Sequence, residues 1–152
     1  MTDIATKQLI AALAEGFEGP ASARSYYLDA DAGLIGTLAK LTPEEASRAW
    51  GGNSVAAHAH HILFGLEAFA AFIEGDRTQR DWSQSWRVNE VDEEAWQKLR
   101  ADLDAGYARL RTAMEANAAK SEAQMGGSVG AVAHVAYHVG AIRQKLAARA
   151  AQ

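Results

Sequence analysis

The five histidines of this chain fall in only two places: His58, His60 and His61 in one, His134 and His138 in the other. The second is the sharper signal. At about 100° per residue, an i, i+4 pair sets its two rings within about 40° of one another on one helix face. Ile142 continues that stripe, so both rings should point into a core. Two imidazoles one turn apart can grip a single divalent ion, as in the helical H-x-x-x-H of zincins, with a third ligand supplied by another helix. The same spacing also suits plain core histidines, hydrogen-bonded to a carbonyl or a carboxylate.

The first cluster has a similar setting. GGNSVAAHAHH at 51–61 and GGSVGAVAHVAYH at 126–138 both open on Gly-Gly and a Ser, with His in the second or third helical turn. Periodicity does not choose among its members. His58 lies in the middle of the Val55–Ile62–Leu66 seam, His61 about 100° to one side at the edge of the apolar face, and His60 toward solvent. A helical wheel favours His58 as the third ligand, or allows both His58 and His61.

The chain contains no cysteine. Disulfides, thiolate ligands and a protein-borne thiol nucleophile are excluded, so any metal must be held by His and carboxylates, and any thiol must arrive with a substrate. A net charge of −4 gives no basic surface for a phosphate backbone, which argues against nucleic acid. No uninterrupted apolar run approaches the ~20 residues of a membrane span, and Met1-Thr2-Asp3 lacks a signal peptide's basic start, so the expected location is the cytoplasm.

The elements that must position the histidines read as helices throughout. Leu9, Ile10, Leu13 and Phe17 mark a helix over 3–17, ended by Gly16, Gly19 and Pro20; a second stretch is expected over 22–40. Thr42-Pro43-Glu44-Glu45 reads as a cap and first turn of a short helix. A long helix is placed at 53–75, capped by Asn53 or Ser54 and closed by Gly75. Residues 76–91 show no helical period and hold Trp82 and Trp86. Asp92 caps a helix to about 117 whose Trp96, Leu99, Leu103, Leu110 and Met114 form a core seam, and Gly126-Gly127-Ser128 opens a last helix to about 148. The expectation is one all-α domain over 1–152, a four-helix bundle with an irregular N-terminal third.

In its length, helix order and motifs, the chain resembles the DinB/YfiT-like superfamily of small metal-binding helical bundles. In that family a Gly-Gly-x-[ST]-Val opening leads to a metal histidine seven residues after the Ser/Thr, followed by Leu or Ile; here Ser54 leads to His61 and Ile62. The other two family ligands come from a C-terminal H-x-x-x-H, here His134-Val-Ala-Tyr-His138 followed by Val-Gly-Ala-Ile142. One departure is Ala141, where many relatives carry Gln. The resemblance thus implies a divalent ion (zinc or nickel, with iron as the third choice) on His61, His134 and His138, their ring nitrogens grouped around one point. His58 becomes a neighbour that either orients a ligand or simply packs.

Three imidazoles leave coordination positions open, the mark of a catalytic rather than a closed site. The open position suits either water activation, giving a hydrolase, or capture of a substrate thiol, giving a transferase. The resemblance implies the second, with a low-molecular-weight thiol as co-substrate; a homodimer is expected, and a dimeric metal- or ligand-binding bundle without turnover is the alternative. No Asp or Glu stands on the inward faces beside the ligands, so a general base is not evident; Tyr137, Tyr107 and Asp81 are the candidates. Trp82, Trp86 and Arg87 could wall a pocket over the metal or cap the end of the bundle.

Overall fold

The computed structural model describes residues 2–151; Met1 and Gln152 lie outside the described residues. Those residues form six α-helices, two short 3₁₀ segments and no strand: α1 (Ile4–Glu18), α2 (Leu34–Ala39), α3 (Pro43–Ser47), α4 (Val55–Glu74), α5 (Glu93–Asn117) and α6 (Glu122–Ala150). The 3₁₀ segments are Trp82–Trp86 and Ala118–Lys120. Helix α4 packs on both α5 and α6, and α1 packs on the same two helices. Leu13 and Phe17 of α1, Ile62 and Leu66 of α4, Trp96 and Leu110 of α5, and Val139 and Ile142 of α6 are buried in a common core.

Local chemistry explains most helix ends. The Asp3 carboxylate accepts from Thr6 N at 3.0 Å and caps α1. Thr42 and Glu45 form a reciprocal capping box with Pro43 in the first turn of α3. Ser54 Oγ accepts from Ala57 N at 3.0 Å, and Gly75 closes α4 in the left-handed conformation that a side chain would resist. Asp92 accepts from Ala95 N at 2.8 Å to start α5.

The expected helix over 22–40 is corrected to the six residues of α2. The Glu15 carboxylate accepts backbone N–H groups from Tyr26, Tyr27 and Leu28, each at 2.7 Å, and so claims donors that a helix would need. Burial pushes the Glu15 pKa up, but the three hydrogen bonds together bring it below the ordinary carboxylate value. The Tyr27 hydroxyl reaches Ala12 O at 2.9 Å across the gap left by Gly16, where a Cβ would lie 2.6 Å from that hydroxyl.

The start of the last helix is corrected as well. Ser121, not the Gly-Gly pair, caps α6, and Gly126 and Gly127 lie inside it. Gly127 is there for packing: a Cβ would approach Phe72 Cδ1 to 2.8 Å. Gly51 and Gly52, by contrast, form a true turn at φ 68° and 108°, so the two Gly-Gly openings share residues but not conformation. By length and composition α4 is apolar enough to cross a membrane, contrary to the count of uninterrupted apolar residues. Here it is a core helix, largely buried between its neighbours.

Candidate metal centre

Helix α4 brings His58 and His61 into the interior, and α6 brings His134 and His138 to meet them. His61, His134 and His138 each place one ring nitrogen within 4.8 Å of the others, close enough for one metal ion. His61 Nε2 lies 2.9 Å from His134 Nε2, and the His61 and His138 ring centroids are 4.4 Å apart. His61 and His138 are buried and His134 half-buried. The i, i+4 pair meets with ring centroids 4.7 Å apart, as its spacing requires.

His58 is also buried, and its Nδ1 lies 3.1 Å from His138 Nδ1. It thus touches a member of the trio from outside. The expectation that His60 points to solvent is corrected: the residue is half-buried, and its Nδ1 donates to Ser85 O at 2.7 Å. A carbonyl oxygen only accepts, so the His60 proton is on Nδ1.

Trp82 and Trp86 stand over the trio rather than at a distant end. The Trp86 ring stacks on His61, with centroids 4.0 Å apart and planes 15° from parallel. Trp82 lies edge-on to His134 at 5.7 Å. Tyr137, largely exposed, stands edge-on to His138 at 4.9 Å. Arg87 lines a separate groove of about 510 Å³ with His60, Phe64 and Glu90. Of the other base candidates, the Tyr107 hydroxyl donates to Glu18 at 2.6 Å, and Asp81 accepts from Ser83 N at 3.0 Å; neither hydrogen-bonds to a histidine.

Two residues at the site gave no sequence signal. Ser85, fully buried, has its Oγ 2.6 Å from His61 Nδ1 and donates to Trp82 O at 2.6 Å. Gly65 leaves room for the His134 ring, whose Cε1 would lie 2.5 Å from a Cβ placed there. A serine in an aperiodic segment and a glycine within a helix are each too common to single out. Only the distant partner shows their use.

Burial is the largest influence on each of these rings and pulls their pKa values down. His58 and His134 fall to about 4 and His138 to about 3, with neighbouring positive charge adding to the shift; His61 is lowered too. All four rings are therefore neutral near pH 7, the form in which imidazole binds a metal. His134 Nδ1 is buried without a hydrogen-bond partner among the described residues. Clustered neutral nitrogens, with no carboxylate among their hydrogen-bond partners in the described residues, form a donor set that could hold a divalent metal ion.

No family model, curated protein or solved structure matches the chain.

Proposed function

We propose that this chain is a metal-dependent member of the DinB/YfiT-like superfamily, built on its four-helix bundle. His61, His134 and His138 would hold one divalent ion, and the substrate would be a small-molecule thiol used in S-transfer. The observation that carries this reading is the convergence of three neutral histidines from two helices within 4.8 Å. When bound, such an ion supplies a Lewis-acid centre able to favour the ionised form of a thiol or a water at neutral pH. The chain's own part is to bind and to exclude solvent: α4 and α6 fix the rings, and the Trp82 and Trp86 indoles shield them. A cytoplasmic homodimer acting on a small molecule belongs to the same reading.

Two observations favour a second reading, a metal- or ligand-binding protein without turnover. Among the described residues no Asp or Glu hydrogen-bonds to any of the histidines, and Trp86 lies face-on against His61.

The test begins with elemental analysis of the purified chain, in which zinc, nickel or iron at one per chain is expected, with loss in His138→Ala. Cobalt is then substituted and a small thiol added. A sulfur-to-metal charge-transfer band with the metal retained supports the thiol reading, because the chain has no cysteine to produce it. An unchanged spectrum at high thiol, with the metal retained, favours water activation or binding without turnover.

A further inference from the structure

We propose that Ser85 and His58 are positioning residues that fix the tautomers of His61 and His138, so that each ring keeps an unprotonated Nε2 for the ion. This inference rests on the metal-binding reading above. It begins with a proton count at Ser85. The Ser85 hydroxyl has one proton, and it goes to Trp82 O at 2.6 Å, an oxygen that can only accept. The same Oγ lies 2.6 Å from His61 Nδ1 and must there be the acceptor. His61 therefore carries its proton on Nδ1, and its Nε2 is a bare lone pair.

Ser85 fixes the neighbouring ring as well, since its carbonyl accepts from His60 Nδ1 at 2.7 Å. One fully buried residue thus takes N–H groups from two consecutive histidines and ties α4 to the 3₁₀ segment that carries both tryptophans.

On the other side, His58 Nδ1 and His138 Nδ1 are 3.1 Å apart, so one must donate and the other accept. If His138 binds through Nε2, its proton is on Nδ1 and His58 Nδ1 receives the hydrogen bond. The His58 proton is then on its own Nε2. A ligating imidazole whose other nitrogen donates to an acceptor is held in both orientation and tautomer, and becomes a stronger donor.

His134 has no such support. Its Nδ1 is buried and unpartnered, against the space left by Gly65. Without metal its proton is on Nε2 and points to the bare His61 Nε2 at 2.9 Å. To hold a metal through Nε2, the ring would carry that proton on Nδ1 instead, with none lost.

Long-range proton–nitrogen NMR of the histidine rings, together with zinc affinity by chelator competition, tests this. In the metal-free parent, His61 should be protonated at Nδ1 and His134 at Nε2; in the zinc form all three ligands should bind through Nε2. Ser85→Ala should leave His61 as a mixture of tautomers, and both it and His58→Phe should weaken zinc binding about 10- to 100-fold. His58→Gln, which keeps an acceptor, should recover part of that loss. If Ser85→Ala does not fold, the parent's tautomers and the His58 pair decide the matter. A His61 ring protonated at Nε2 in the metal-free parent, ligation through Nδ1, or affinities of folded Ser85→Ala and His58→Phe within about twofold of the parent would overturn the proposal while leaving the metal site standing. A parent that takes up no zinc overturns the metal reading itself, and this proposal with it.

Discussion

The His134 ring lies against the Cα of Gly65, so close that a Cβ there would stand 2.5 Å from Cε1 and 2.7 Å from Nδ1. One face of α4 is thus cut back to seat an imidazole carried by α6. Gly65→Ala should push the ring away and weaken zinc binding at least about tenfold, and it should destabilise the fold by about 1–3 kcal/mol through overpacking. A double-mutant cycle separates the causes: in a His134→Ala background the added methyl should be nearly harmless. Equal destabilisation in both backgrounds, measured by urea unfolding, would show that the clash lies elsewhere.

His134→Ala alone should harm metal binding far more than folding. The side chain is half-buried and its Nδ1 has no partner, so its removal should change stability by no more than about 2 kcal/mol. A three-ligand site, however, loses a third of its donors. Mass spectrometry under native conditions and a thermal melt are the paired measurements. Full metal occupancy in the variant would count against the site.

The metal-free protein should lose stability as pH falls from about 6.5 toward 4. Burial, the first cause, holds the folded-state pKa at about 4 for His58 and His134 and about 3 for His138, all below the ordinary 6.5. In that window the unfolded chain binds more protons than the folded one, so the unfolding free energy decreases with each step down in pH. Between pH 6.5 and 5 the effect is separate from most carboxylate titration. A melting temperature that stays level across that interval would mean the rings are already solvated.

Much of this was readable in the chain because the signals are local. Ser54, Thr42, Gly75 and Asp92 cap their helices through partners within a turn or so, and His134 and His138 need only helical spacing to share a face. What sequence reading missed depends on distant partners. Tyr26 and Tyr27 carry an apolar spacing that suits a helix, yet their N–H groups belong to Glu15, eleven and twelve positions earlier. Gly127 reads as a turn until Phe72 is seen packed on it. Periodicity could not separate His58 from His61, because both are buried and each brings a ring nitrogen to a nitrogen of the α6 pair. Ser85 lies twenty-four residues from His61 in a segment with no period at all.

Glu15→Gln should loosen the N-terminal third without touching the histidines. The carboxylate receives three N–H groups at 2.7 Å, and an amide offers only one oxygen and turns an N–H₂ toward donors. A loss of about 3 kcal/mol is expected, since bonds to a buried charge are the stronger kind. Amide hydrogen exchange should accelerate first at Tyr26, Tyr27 and Leu28. Uniform acceleration over the whole chain would instead mark Glu15 as a determinant of global stability.

The Trp86 ring, stacked on His61 at 4.0 Å, gives the molecule an optical gauge of its own centre. An indole in van der Waals contact with an imidazole reports what happens to that imidazole through its emission. An open-shell ion such as cobalt or nickel on His61 should darken Trp86, while zinc, with a filled d shell, should leave it lit or shift its colour. Trp96 supplies an internal standard, buried on α5 with its Nε1 donating to Leu41 O at 3.1 Å. Uptake of an ion by the three histidines should therefore be visible in the emission of the unlabelled chain.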